Sequence, residues 1–218
     1  MNAASPTTLP PRPFKVLLLL ILVSLSAWFL WGELNYALMR DRTGEPAFRT
    51  WALIVHLTFA TPLLLLPPLQ FSRRFRLRWP QWHRRLGRAY LVASLIAGSL
   101  AIYLGLTFDL VGRRVPVVLF ATLWVAFSAA AWWCARQRAF AAHERFVVRS
   151  YTIAVAFVIV RVMGQAEDVM FPFMPDPQLR GVTREWLCFV LPLLAVEAWY
   201  TWWPALRTPR PRTVDARL

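Results

Sequence analysis

Two histidines stand at matched places in the chain. His83, in "WHRRLGRAY", precedes Tyr90 by seven residues, and His143, in "AAHERFVVRS", precedes Ser150 by seven. Each lies just ahead of a long apolar run. If both following helices extend a turn or two beyond the apolar runs, the two imidazoles sit at one height. Two neutral imidazoles can then ligate a haem iron or another metal, with haem b the natural candidate. Arg84, Arg88 and Arg149 supply cations for propionates, lipid phosphate or a quinone head group. Gly87 lets the chain approach closely, and Tyr90 is an interfacial anchor or hydrogen-bond donor. The plainer reading makes these interfacial histidines in basic loops whose arginines grip anionic lipid.

A second pair lies deeper. Arg161 is 11 residues past Ser150, and Glu197 is 11 residues past Trp186. At about 1.5 Å per residue each is about 16 Å from its own membrane face. In a hydrocarbon core of about 30 Å the two meet near the midplane, where a lone charge is costly and pairing is expected. The pair is either a structural ion pair or part of a proton-coupled carrier. A third group, His56, Tyr103, Glu167 and Asp168, falls at a common height on the outer side. His56 is too far from His83 to share one iron, and a two-haem, four-histidine arrangement is excluded because the chain holds 3 histidines. No glycine-rich phosphate loop, GxSxG or HExxH appears, so the motifs of soluble catalysis are missing; "HERFV" lacks the second histidine of a zinc protease.

Six apolar segments must position these groups. They are Phe14–Trp31, Trp51–Phe71, Ala89–Phe108, Val115–Cys134, Ser150–Met170 and Trp186–Trp203, each near the length that spans a bilayer. They predict an all-α polytopic helix bundle, one membrane domain over 1–218. Within it, 1–12 is a flexible N-terminal segment, 14–204 the bundle and 205–218 a basic tail. The first run is too long for a signal-peptide core and reads as a retained helix. Pro62, Pro67 and Pro68 predict a kink in the second segment, whose freed carbonyls need other partners. In the third, Ala89, Ala93, Ala97, Ala101 and Gly105 form a small-residue stripe. It fits close helix packing, or the face of a flat group such as a porphyrin.

Composition agrees. Of 218 residues 58% are hydrophobic and 17% charged, against about 45–50% and about 25% in soluble domains. The net charge of +14 first points to nucleic acid. The basic residues, however, occupy short segments between apolar runs, so nucleic acid is excluded as a partner and the charge is read as a topology signal. One set of flanking segments carries 17 Lys and Arg and the other 7, which places both termini and both histidine segments in the cytoplasm. Trp31, Trp51, Trp186, Trp202 and Trp203 mark the interfaces. The two cysteines, Cys134 and Cys188, form neither a disulfide framework nor a CxxC metal site.

The run "VHLTFATPLLLLPPLQFSRRFRLRWPQWHRRLGRAYL", followed by "HERFVVRSYTIAVAFVIVRV" and "VEAWY", resembles a family of bacterial predicted membrane proteins, a domain of unknown function. His56, Gln70, His83, Arg84, Gly87, Arg88, Tyr90, His143, Arg149, Ser150, Arg161 and Glu197 carry the resemblance, over about residues 48–203. A WM pair usual in the family is absent before Arg149, where the chain reads "FVVR". The "HRxxG" string is also similar to helix starts in b-type cytochromes and succinate dehydrogenase membrane anchors, which bind haem and quinone. The resemblance implies an inner-membrane protein. The functions to weigh are a redox protein binding haem or quinone with a membrane redox partner, a proton-coupled transporter, and a non-catalytic assembly or lipid-binding protein.

Overall fold

The computed structural model describes residues 46–107 and 111–207, with isolated helical positions between 17 and 39. The first expected span, the N-terminal segment and most of the tail fall largely or wholly outside the described residues. Every regular element among those described is helical. They are α1 (Ala47–Leu65), α2 (Pro67–Gln70), α3 (Arg73–Arg78), α4 (Pro80–Leu106), α5 (Val111–Arg136), α6 (Phe140–Gly164), α7 (Glu167–Met170), α8 (Pro177–Glu197), a π-helical segment (Ala198–Trp202) and α9 (Trp203–Arg207). Among the described residues, four helices are long and apolar enough to cross a membrane: Ala47–Leu65, Pro80–Leu106, Gly112–Arg136 and Phe140–Gly164. α8 is not among them, because its first turns carry Arg180, Arg184 and Glu185.

In lipid a backbone must satisfy its own polar groups, so apolar runs fold as helices. Here the helices run past the apolar runs into polar sequence. The segments expected as basic loops are therefore largely helix: α3 and the start of α4 replace the first, and α6 begins at Phe140 in the second. Only residues 137–139 separate α5 from α6, with Arg138 in the left-handed region at φ 59°.

α1, α4, α5 and α6 pack in a ring, each against the next, and α6 returns to α1; α8 docks on α5 and α6. The α4–α5 seam is tight. A Cβ on Gly98 would stand 2.7 Å from Val125 Cγ2, and one on Gly105 would stand 2.9 Å from Val117 Cγ1. Ala97 and Ala101 are buried in the same helix. The later part of the stripe, Ala97, Ala101 and Gly105, is therefore filled by neighbouring helices, Ala89 is exposed, and the open space beside α4 lies two residues before the stripe, at Gly87. Aromatic rings fill the centre: Phe120 stacks on Phe189 at 4.5 Å, and Phe157 meets Phe189 edge-on at 4.8 Å.

The proline break falls at Leu66, between α1 and α2. Pro67 and Pro68 have no N–H to offer the carbonyls four residues back. The Tyr151 hydroxyl donates to one of these, Leu64 O, at 3.1 Å. The break turns the chain so that Gln70 comes to lie against the start of α4.

Candidate ligand cavity

His83 and His143 occupy the same position in their helices, three residues after Pro80 and Phe140 respectively. Both line one cavity of about 670 Å³ at the basic end of the ring. The break region contributes Pro67, Gln70 and Phe71, and α3 contributes Arg76. From α4 come Pro80, His83, Arg84, Gly87, Tyr90 and Leu91; from α6 come Phe140, Ala141, His143, Glu144 and Val147. The α4 set repeats at helical spacing, so one face of the helix forms one wall.

The polar groups here differ in how they are held. His143 Nδ1 lies 2.8 Å from Ala131 O. A carbonyl only accepts, so Nδ1 carries the proton and Nε2 keeps its lone pair in the neutral ring. His83 Nδ1 is buried without a partner, and so are both amide atoms of Gln70, a residue 9% exposed. A Cβ on Gly87 would stand 3.8 Å from Gln70 Oε1, so a larger side chain there would fill the space over the amide. His83 lies within electrostatic range of Arg76, Arg84 and His143.

Tyr90 lines the cavity and anchors a chain of buried hydroxyls. Its phenol oxygen lies 3.0 Å from Ser150 Oγ, and Ser150 Oγ lies 2.8 Å from Ser128 Oγ. Ser128 donates to Trp124 O at 2.8 Å. The contact joins α4 to α6 across the ring.

Of the expected ligand set, His83, His143, Arg84 and Tyr90 share this cavity, while Arg88 is exposed and Arg149 points elsewhere. Arg149 forms a two-pronged pair with Glu197, Nε to Oε1 at 2.6 Å and Nη2 to Oε2 at 2.9 Å. The expected Arg161–Glu197 pair is thereby corrected. Arg161 is 12 residues beyond Arg149, about 18 Å along α6. Depth counted from the apolar edges misled, because α6 starts at Phe140 and α8 at Pro177. Arg161 therefore nears the far end of α6, and Glu197 lies near the basic end. Arg161 is instead within electrostatic range of His56 and Glu185.

The expected outer cluster is also dispersed. His56 Nδ1 donates to Ala97 O at 2.8 Å, a packing bond to α4. Tyr103 meets Phe48 edge-on at 5.1 Å. Glu167 and Asp168 are not on the fifth span, which stops at Gly164; they begin α7. Glu167 pairs with Arg184, and Asp168 lies 2.8 Å from Arg180. Arg113 Nε binds Glu185 Oε1 at 2.6 Å. Gly164 leaves room for Arg184, whose Nη1 a Cβ there would approach to 2.8 Å. Among the described residues no group of three or more His, Cys, Asp or Glu could hold a metal ion.

Gln70 and Glu144 were not expected as cavity residues. Gln70 was legible only through the family pattern, because its placement depends on the break at Leu66. Glu144 follows His143 directly, and its helical setting was the missing information.

A ring of apolar helices with a mostly apolar, open cavity at its basic end defines an integral membrane protein with a ligand-sized space. The family described as "Predicted membrane protein (DUF2306)" matches residues 53–201, and the chain belongs to that family. No curated protein and no solved structure matches it, b-type cytochrome subunits included.

Proposed function

We propose that this chain is a six-span protein of a bacterial inner membrane whose cytoplasmic-face cavity binds the ring of a quinone-class molecule. One observation carries the reading: Gln70 lines the cavity, is buried, and has both amide atoms unpartnered. Leaving a buried donor or acceptor unmade costs about 1–3 kcal/mol. A flat, apolar ring bearing oxygens restores those bonds, with Gln70 Nε2 and Arg84 donating to a ring oxygen. Pro67, Phe71, Leu91, Phe140 and Val147 supply apolar walls. Glu144 among the lining residues disfavours an anionic head group such as a lipid phosphate, for which Arg76 and Arg84 alone would be enough. The basic helix α3, with Arg78 over the Trp79 ring at 5.0 Å, suits an interface of anionic lipid beside the cavity mouth.

Haem b is the second occupant to test, because both histidines share the cavity and Nε2 of His143 is available. A haem declares itself by absorption. Tryptophan fluorescence of the detergent-purified full chain, titrated with a short-tailed benzoquinone, should show saturable quenching. Gln70→Leu should weaken it about tenfold, the equivalent of one hydrogen bond. A b-type spectrum on reduction that is lost in His83→Ala and His143→Ala would replace the quinone reading with haem. No saturation and no spectrum would remove both.

A further inference from the structure

Glycine is among the poorest helix formers, yet α4 holds three: Gly87, Gly98 and Gly105. Two have a packing reason, since a Cβ on Gly98 or Gly105 would press into α5. Gly87 has none. A Cβ there would meet a single described group within 4 Å, Gln70 Oε1 at 3.8 Å, which is ordinary contact distance. The missing side chain therefore leaves a methyl-sized notch in the α4 wall of the cavity.

The notch has a defined setting. His83 and Leu91, four residues to either side of Gly87, share its helix face and also line the cavity. Gln70 faces the notch, buried and with both amide atoms unpartnered. A hydrogen bond to this amide spans about 2.9 Å. A ligand oxygen bonded there comes within reach of Gly87, and the substituent on the adjacent ring carbon is the part of the ligand that fills the notch.

We propose that Gly87 determines specificity: its notch receives an alkyl substituent beside the bonded oxygen, so the cavity prefers a ring-alkylated quinone-class molecule to an unsubstituted one. The inference rests on the quinone-class reading and adds which members of the class the cavity takes. A bare ring edge leaves the notch empty, and its lining then lacks contacts that a methyl group supplies. A side chain at position 87 would occupy the notch permanently and shut the substituent out. The selection works through shape alone, so it can be altered without touching a polar group.

The test compares hydroquinone with tetramethylhydroquinone, whose oxygens are flanked by methyl groups in every orientation. Binding to the full chain in detergent is measured by anaerobic equilibrium dialysis against protein-free micelles. The reduced compounds are used because unsubstituted benzoquinone adds to thiols, and Cys134 and Cys188 are free. The unmodified protein should bind the tetramethyl compound about tenfold more tightly, the discrimination a single carbon commonly gives in an apolar pocket. Gly87→Ala should weaken the tetramethyl compound about tenfold, leave hydroquinone within about twofold, and so bring the ratio to about one. Gly87→Ala should also melt no lower than the unmodified protein, because alanine favours the helix and its Cβ meets no clash. A lower melting temperature would make Gly87 a packing residue and overturn the proposal. So would equal binding of the two compounds by the unmodified protein, or a ratio that Gly87→Ala leaves unchanged, whether both compounds weaken together or neither does. Binding of neither compound by the unmodified protein removes the quinone-class reading itself, and this inference with it.

Discussion

The two ends of the helix ring handle buried polar groups in opposite ways. At the basic end, Gln70 and His83 stand around open space with atoms unpartnered. At the other end, Arg113, Arg180 and Arg184 are bound to Glu185, Asp168 and Glu167. Glu185 Oε2, Arg180 Nε and Arg184 Nε are also unpartnered there, yet each belongs to a side chain with another atom paired. Gly164 even gives the Arg184 guanidinium its space. The far end is built so that charge holds helices together. At the basic end Gln70 and His83 are left open to the cavity, although Arg149 and Glu197 pair nearby. A buried polar group therefore means something different at each end, and only its partners distinguish the two.

The comparison breaks most visibly at the far end. Arg113→Met leaves the Glu185 carboxylate, 3% exposed, without its nearest cation. The expected loss is about 3–5 kcal/mol, as for other buried pairs that lose one member. Arg113→Met with Glu185→Leu should cost clearly less, since no buried charge is stranded. Unfolding in detergent by heat or denaturant measures both, and equal losses would show that the pair does not act as a unit.

A smaller effect of opposite sign sharpens the contrast. Gln70→Leu removes an amide that has no partner and should stabilise the ligand-free protein by up to about 1 kcal/mol, while weakening ligand binding. A variant that is less stable and binds equally well would mean the amide serves the fold. The least effect is expected at the Arg149–Glu197 pair, whose side chains are 14% and 32% exposed. Arg149→Met should cost under about 1 kcal/mol; a loss as large as that for Arg113 would erase the distinction between partly exposed and buried pairs.

The helical class and four of the spans were legible in the sequence, because a long apolar run in lipid has one outcome. The convergence of His83 and His143 was legible too, from equal spacing to the following run. What the sequence concealed was where helices begin. Pro80 and Phe140 start helices inside polar sequence, since backbone hydrogen bonding continues past the hydrocarbon edge. That extension brought the histidines to one height, and it also displaced Arg161 from Glu197. Gln70 was hidden for another reason. Its neighbourhood is made by a helix break at Leu66, and residues far apart in sequence meet there without any periodic signal.

The π-helical turn at Ala198–Trp202 has one further consequence, for insertions and deletions. A π turn holds one residue more than the α turn it replaces, so it behaves as a tolerated insertion within one continuous helix. Thr201 Oγ1 donates to Glu197 Oε2 across it at 3.1 Å. Deleting a single residue here would restore α geometry and leave the residues on both sides in phase. Trp203, with Arg207 over its ring at 4.0 Å, would keep its side of the helix. The same deletion inside the α-helical part before Glu197 would instead rotate everything after it by about 100°, so this turn is where the helix tolerates a change of length.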